Sequence, residues 1–244
     1  MYDYQKSKET VEKILKSLTK IEERKTIPSS DSEFTYENGI KAYVGALFID
    51  IVDSSKLFKS PNENTARVIR SFCSEIISIL KDDPNYREIG IRGDCVYGIF
   101  STQFKQDLVS IFRHAYRINS FMKMFNRLLK KNNYSTITAG IGLGCSENLI
   151  IKAGQNGSGI NDKIWIGKAV VEASHLSDIA NRNEIFPIAL SPLFYDNIIK
   201  ILCEEDPNYK NWIKGHRKEY YGNIEYYTCN IVEKRFDEWI EENV

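Results

Sequence analysis

Two aspartates stand beside short apolar runs, where composition alone does not explain a charge. Asp50 ends the apolar run 43–49, and Asp94 follows Gly93 between two short apolar runs. A Gly-Asp pair in that position predicts a tight hairpin with the aspartate at its tip. Oxygen-only ligation by two carboxylates suits Mg²⁺ or Mn²⁺, which keep waters and take other ligands from phosphates. Two such ions, about 3.5–4 Å apart, can hold the attacking and leaving oxygens of a phosphoryl displacement.

Each aspartate also has an ordinary structural interpretation. Asp50 could cap the N-terminus of a helix, and Asp94 could be a plain turn residue, because aspartate is common in both places. The two interpretations stay open for either residue alone. The pair on two separate apolar strands favours the metal site.

Composition narrows the class of protein. The chain has 244 residues, of which 42% are hydrophobic and 27% are charged, as expected for one large domain or one domain with appendages. Lys+Arg and Asp+Glu are equal at 33, so the charge balance favours neither a nucleic-acid nor a membrane partner. Five dispersed cysteines without a Cys-x-x-Cys pair favour reduced thiols over disulfides or zinc. No signal peptide or membrane-length apolar run is recognised, so we expect a cytoplasmic protein.

The apolar periodicity predicts the element order. Residues 1–26 predict one helix, whose narrow apolar stripe would dock on the domain or on a second copy of the chain. A polar connector to residue 39 is followed by a strand, a helix, a hairpin, a helix over 108–129 and a strand over 136–143. That β-α-β-β-α-β order is the ferredoxin-like arrangement of α+β proteins. We therefore expect an N-terminal helix and linker over 1–39 and one domain over 40–244.

Glycines mark two places in the second half of the chain. Gly140, Gly142 and Gly144 alternate along a strand, which predicts a close backbone passage or a tightly packed helix. The loop 154–159 is rich in glycine and is a surface connector or, with weaker support, a phosphate cradle. The remaining predicted elements are strands over 149–153, 163–166, 185–190 and 224–231 and helices over 168–181, after Ser191-Pro192, and over 236–240.

Three signatures in order and spacing resemble the class III nucleotidyl cyclases over about residues 43–227. They are Phe48-Ile-Asp50-Ile-Val, Gly93-Asp94-Cys-Val-Tyr97, and Trp165-Ile-Gly167 with the helical run through His175-Leu. The run Gly159-Ile-Asn-Asp-Lys-Ile-Trp-Ile-Gly-Lys-Ala is similar to the bacterial pyrimidine cyclases of Pycsar antiphage defence, which make cyclic UMP or cyclic CMP. The resemblance implies a class III cyclase catalytic domain over 40–244, with the ferredoxin-like core and an N-terminal helix.

The resemblance also implies a set of site residues. Asp50 and Asp94 would be the ligands of two Mg²⁺ or Mn²⁺ ions, joined by the backbone carbonyl of Ile51. Ser54 and Ser55 would bind the triphosphate at a helix N-terminus, with Ser55 where the family places a phosphate-binding hydroxyl. The role of the neighbouring acid, at position 53, stays open between helix cap and outer metal partner.

The sequence departs from the family pattern on the helix after Gly167. Relatives usually carry an asparagine that orients ribose and an arginine that meets the α-phosphate, and these positions are Val171 and His175. A valine cannot bond ribose, and a histidine is a cation only when protonated. His175 is the catalytic candidate, with helix packing as its alternative role. Lys168 and Arg182 are possible substitute cations.

Base choice is the second departure. The lysine and the acid with which relatives read purines are here Gly90 and Ile164. Arg92 lies two residues before Asp94 and shares its strand face, so it either reads a pyrimidine carbonyl or is a surface arginine. Lys214, in a Lys-Gly turn similar to the family's, either binds triphosphate or is a solvated surface lysine.

The resemblance implies an activity and its alternatives. We expect a homodimeric uridylate cyclase with sites at the interface, which converts UTP into cyclic UMP that a separate cyclic-nucleotide-binding effector reads. CTP is the alternative substrate, and a degenerate homologue that binds nucleotide without catalysis is the alternative function. The missing purine residues disfavour a purine cyclase, and chain size disfavours a palm-type polymerase relative.

Overall fold

The computed structural model describes residues 2–59, 61–217 and 224–244. The strands are β1 Lys20–Glu23, β2 Asn38–Ile51, β3 Tyr86–Arg92, β4 Cys95–Ser101, β5 Ala139–Gly154, β6 Asn161–Ile166, β7 Ile188–Leu190, β8 Lys214–Arg217 and β9 Ile224–Cys229. The helices are α1 Tyr4–Lys16, α2 Ser54–Phe58, α3 Glu63–Lys81, α4 Lys105–Lys131, α5 Lys168–Ile179, α6 Pro192–Glu205, α7 Tyr209–Trp212 and α8 Lys234–Asn243.

The strands join one sheet in the order β3-β4-β2-β5-β7-β9-β8, with β1 beside β2 and β6 beside β5. The segment β2-α3-β3-β4-α4-β5 forms its centre, and the order β3-β4-β2-β5 is the ferredoxin-like one. The predicted α+β fold with a βαββαβ core and an N-terminal helix is confirmed.

The central strand β2 buries both of its faces. Leu47 and Ile49 belong to the cluster that includes buried residues of α3 and α4. Ala46 and Phe48 face the opposite side, where α5 contributes buried alanines to a second cluster. Because successive side chains of a strand point to opposite faces, this apolar run supports a helix layer on each side.

Helix α5 lies directly on the backbone of β5. A Cβ atom added to Gly142 would lie 2.0 Å from the carbonyl oxygen of Ala173, and one added to Gly144 would lie 2.4 Å from that of Ala169. The predicted close approach at these glycines is confirmed, and it fixes the position of the helix that carries His175.

The N-terminal segment corrects one prediction. The helix ends at Lys16, and Lys20–Glu23 is the strand β1, which pairs in parallel with β2. Ser17 has extended backbone, and the edge of β2 offers the backbone hydrogen bonds that decide the strand. None of the 13 residues described for α1 is buried, so its apolar stripe does not dock on this chain's own domain.

Three further boundaries differ from the sequence patterns. The strands predicted over 136–143 and 149–153 are the single strand β5, which continues through the polar run 146–148. The strand predicted over 185–190 begins at Ile188, after a loop with several positive φ angles. The short polar strand β8 had no sequence signal. Of the helices in the described part of the chain, none has the length and apolar character needed to cross a membrane.

Candidate active site

Asp50 and Asp94 lie together at one end of the sheet. Asp50 is the penultimate residue of β2, and Asp94 is in the two-residue turn between β3 and β4, where Gly93 has a φ of 62°. The predicted hairpin is thereby confirmed. Burial raises the pKa of the Asp50 carboxyl, the neighbouring charges of Asp94 and Asp178 raise it further, and a hydrogen bond from Arg182 opposes them. The two proposed metal ligands therefore share one electrostatic environment.

Arg182 contacts Asp50 of its own chain. Its Nη2 donates to Oδ2 of Asp50 at 2.8 Å, and the two side chains are 24% and 18% exposed. Its Nη1 donates to the carbonyl oxygens of Ser177 and Ala180 at the end of α5. The structure thus places this substitute cation in contact with Asp50.

The two predicted serines lie four and five residues after Asp50, at the start of the next helix. Ile51 is buried at the end of β2, and Ser54 and Ser55 begin α2, which is only five residues long. Asp53 has a φ of 55° and makes no capping hydrogen bond; its carboxylate pairs with Lys56 at 2.6 Å. The predicted helix start after Asp50 is therefore present, without the aspartate cap.

His175 and Arg92 line a shared cleft of about 460 Å³ between β3, β4, β6 and α5. Val171 and Ile164 line it too, so four of the five positions where we place a departure from the family pattern or base reading lie on its wall, and Gly90 is the exception. Cys95 connects the cleft to the aspartates: burial raises the pKa of its thiol to about 12, and the charge of Asp50 adds to this effect. The cleft is therefore a neighbour of the carboxylate pair.

Glu88 organises the wall of this cleft. Its carboxylate accepts hydrogen bonds from the Tyr97 hydroxyl at 2.8 Å and from the Trp165 indole nitrogen at 2.9 Å. Burial, followed by the bond to Glu88, raises the pKa of Tyr97 to about 12. A Cβ atom at Gly90 would lie 2.4 Å from the Tyr97 hydroxyl oxygen, so the tyrosine occupies the space that a side chain at position 90 would need.

Sequence reasoning assigned no role to Glu88 and Tyr97. The available signal was strand alternation, because residues 88, 90 and 92 share one face of β3. The Arg92 guanidinium carbon lies 6.0 Å from the centroid of the Tyr97 ring on the facing strand. This distance is within the range of a cation–π interaction.

The glycine of Trp165-Ile-Gly167 sets the start of α5. Gly167 is the extended N-cap residue and has no side chain to accept a helix amide, so Ser146 accepts the amide of Ala169 at 2.9 Å. A Cβ atom at Gly167 would lie 2.4 Å from the side chain of Asn148. The polar run inside β5 thus caps α5 through Ser146 and, through Asn148, leaves no room for a side chain at position 167.

Lys214 lies in a different cleft. It begins β8, is exposed, and lines a cleft of about 450 Å³ with Phe186 and Trp212. The structure therefore does not bring Lys214 to the aspartate pair of the same chain.

Comparison with known proteins decides the family. No protein-family model matches the chain. A curated protein from Treponema porcinum, named uridylate cyclase, is 38% identical over 245 residues, which cover 100% of this chain and 82% of that protein. The chain belongs to the nucleotidyl cyclase family of this relative. A uridylate cyclase from Gulbenkiania mobilis is 28% identical over 253 residues, which cover 99% of this chain and 97% of that protein.

Solved cyclase structures share the fold of this nucleotidyl cyclase. The adenylyl cyclase CyaB from P. aeruginosa matches with a TM-score of 0.61 and 19% identity, over 78% of this chain and 95% of that one. The guanylyl cyclase Cya2 matches with a TM-score of 0.62 and 12% identity, over 80% and 95%. The resemblance to the class III cyclases is thereby confirmed.

The aspartate pair of the cyclase fits hard divalent cations. Carboxylate oxygens are the ligands that Mg²⁺ and Mn²⁺ prefer, and the mutual repulsion of Asp50 and Asp94 is relieved by a positive charge between them. Across residues 2–59, 61–217 and 224–244, no group of three or more His, Cys, Asp or Glu side chains forms a metal cage. An ion at the pair would therefore complete its coordination with water, backbone oxygen and phosphate, as Mg²⁺ commonly does.

Proposed function

We propose that this nucleotidyl cyclase converts UTP into 3′,5′-cyclic UMP and diphosphate with two Mg²⁺ or Mn²⁺ ions. The observation that carries the proposal is the cleft lined by Arg92 and His175, where Gly90 and Ile164 replace the purine-reading side chains and Tyr97 covers Gly90. The names of the two curated relatives support the same substrate. CTP is the alternative, because both pyrimidines present a carbonyl to a donor such as Arg92.

The residues near Asp50 would divide the work on the triphosphate. Asp50, Asp94 and the carbonyl of Ile51 hold the metal ions, which when bound favour ionisation of the ribose 3′-hydroxyl and neutralise charge on the phosphates. Ser54 and Ser55 bind triphosphate oxygens at the start of α2. Cyclisation then needs mainly positioning, with the 3′-oxygen in line with the α-phosphate.

The cleft residues would hold the base and the reacting phosphate. Arg92 donates to a carbonyl of the pyrimidine, and its position over the Tyr97 ring keeps it near that edge. The Tyr97 hydroxyl gives its hydrogen to Glu88, so its oxygen is left as an acceptor for an N–H of the base. His175, when protonated, contacts the α-phosphate where relatives use arginine.

A complete site would need two chains. In one chain, Lys214 lies in a separate cleft and Arg182, not His175, contacts Asp50. A homodimer in which the aspartates of one protomer face α5 and β8 of its partner brings the two halves together. Class III cyclases work as dimers, which supports this arrangement.

The wider role follows from the same resemblance. The cyclase would act in the cytoplasm as the second-messenger synthase of an antiphage defence, with its product read by a separate cyclic-nucleotide-binding effector. The five cysteines, all in the described part of the chain, are free thiols. This supports a reducing compartment.

A nucleotide-binding protein without catalysis is the second candidate. Val171, which is 52% exposed beside the cleft, and His175 replace the ribose-orienting asparagine and the phosphate-binding arginine. This loss of polar contacts favours binding without turnover.

One incubation series separates the candidates. The protein is incubated with each of the four nucleoside triphosphates and Mn²⁺, and products are identified by mass spectrometry. Cyclic UMP is expected as the main product, and none from Asp50→Asn or Asp94→Asn, which remove a negative ligand at constant volume. Cyclic CMP as the main product would correct the substrate, and bound but unconverted nucleotide would establish the second candidate.

A mixing experiment tests the shared site. Asp50→Asn and His175→Ala homodimers are each expected to be inactive or strongly impaired, because every site lacks one group. A heterodimer of the two has one intact site, so activity up to half that of wild type is expected. A demonstrated heterodimer with no recovery would contradict sites shared between chains, provided that His175→Ala alone is impaired.

A further inference from the structure

The loop after α5 is held in an unusual backbone conformation. Asn181, Asn183 and Glu184 have φ angles of 59°, 49° and 67°. Asparagine tolerates the left-handed region, but glutamate rarely adopts it, and such residues persist only where their surroundings hold them. The Asn181 side chain donates to the carbonyl oxygen of Ala139 at 3.0 Å, which ties the loop to the first residue of β5. The strained loop is therefore anchored to the sheet next to the end of β2.

This loop presents Arg182 to Asp50 in a fixed orientation. One nitrogen, Nη1, donates to the carbonyl oxygens of Ser177 at 2.9 Å and Ala180 at 3.2 Å, and the other, Nη2, donates to Oδ2 of Asp50 at 2.8 Å. The planar guanidinium is therefore held from α5 on one side and holds the carboxylate on the other. A single flexible ammonium could not make this set of bonds.

The contact leaves the second carboxylate oxygen available. Within the described residues, Arg182 is the one hydrogen-bond donor to the Asp50 carboxylate, and it binds only Oδ2. Oδ1 is free to bind a cation. Groups that hydrogen-bond to metal-ligating carboxylates fix their orientation, and losing one typically costs about 10–100-fold in metal affinity or activity.

We propose that Arg182 is a positioning residue of the metal site: it holds Asp50 through Oδ2 so that Oδ1 binds the divalent cation. It also links that ligand to the C-terminal end of α5, whose outer face carries His175. The inference rests on the proposed metal role of Asp50. It goes beyond that role by giving Arg182 an intrachain task distinct from contacting substrate.

Metal binding without nucleotide tests the inference. Mn²⁺ is titrated into the metal-free protein, and free Mn²⁺ is measured by electron paramagnetic resonance. Arg182→Met keeps most of the stem but removes the donors, and we expect it to weaken Mn²⁺ binding about tenfold or more. Arg182→Lys keeps one charged donor for Oδ2 but not the bonds to α5, so it should recover only part of the Mn²⁺ affinity that Arg182→Met loses. Arg113→Met, which removes a remote ion pair with Glu205, should leave Mn²⁺ affinity unchanged.

A metal-free measurement checks the contact itself. Thermal unfolding in EDTA is compared for wild type, Arg182→Met, Asp50→Asn and the double variant. We expect Arg182→Met to lower Tm by about 2–4 °C and to lower it less in the Asp50→Asn background, where the charged acceptor is gone. Equal decreases in both backgrounds would overturn the proposed hold on Asp50.

The outcomes separate this inference from the proposed function. If the wild-type protein binds Mn²⁺ and Arg182→Met binds it equally or more tightly, the positioning role is overturned while the metal role of Asp50 remains. A wild-type protein that binds no more Mn²⁺ than Asp50→Asn would overturn both. Weaker binding in Arg182→Met, with recovery in Arg182→Lys, supports both.

Discussion

Gly142→Ala should separate α5 from the sheet. An added Cβ atom would lie 2.0 Å from the Ala173 carbonyl oxygen and 2.4 Å from the Ser177 amide nitrogen, whereas ordinary contact begins at 3.4 Å. The helix must therefore move by about 1.4 Å relative to β5, or the strand must bend. Overpacking costs about 1–3 kcal/mol in unfolding free energy when side chains yield. Both obstructing atoms are backbone atoms, so we expect a loss of about 3 kcal/mol or more.

Gly45→Ala is the matched control. The Cβ atom would there meet the ends of three side chains, Ile111 Cδ1 at 2.5 Å, Thr102 Cγ2 at 2.9 Å and Leu108 Cδ2 at 3.2 Å. Side-chain ends can rotate, so the expected loss is about 1–2 kcal/mol. Urea unfolding followed by circular dichroism measures both variants. A Gly142→Ala protein within about 1 kcal/mol of wild type, or one no less stable than Gly45→Ala, would refute the reasoning.

Two further predictions concern a buried acid and the base site. Asp83 is 3% exposed, and although burial acts to raise its pKa, hydrogen bonds from His114, Ser110 and the amide of Asn85 lower it overall. The ionised Asp83 carboxylate stabilises the folded state above the unfolded pKa of about 3.9, and this stabilisation is lost as pH falls through the lower folded-state value. Asp83→Asn should therefore lower the free energy of unfolding by about 2–4 kcal/mol at pH 7. Urea unfolding at several pH values should find this difference smaller toward pH 3. Arg92→Met should raise KM for UTP about 10–100-fold with a smaller change in kcat, because a charged hydrogen bond to the base is lost; steady-state kinetics with an unchanged KM would contradict base reading by Arg92.

Local patterns in the sequence were sufficient to predict the main elements of the βαββαβ core. The periodicity over 108–129 became the helix Lys105–Lys131, and the Gly93-Asp94 turn became the hairpin between β3 and β4. Helix period and turn chemistry depend on residues only a few positions apart, so sequence carries them directly. The metal-ligand candidates lay within such patterns.

Segments whose backbone partners lie elsewhere in the chain were predicted less well. Ile21 continued the apolar period of α1 but lies in β1, because the edge of β2 supplied backbone partners that no helix pattern shows. The polar residues 146–148 suggested a break, yet β5 continues because they pair with residues 42–44 of β2. In both cases the deciding contact is made with a strand that lies far away in sequence.

The sequence by itself determined the aspartate pair, the βαββαβ order and the residues Gly90 and Ile164, since each is a property of residue type and short spacing. Only the tertiary structure decided which distant groups meet. Arg182 donates a hydrogen bond to Asp50, 132 residues away in sequence, and the Trp165 indole donates one to Glu88, 77 residues away. The first contact depends on how closely α5 packs on the glycines of β5, and the second on the pairing of β6 with β5. Sequence spacing carries no distance information across separate elements.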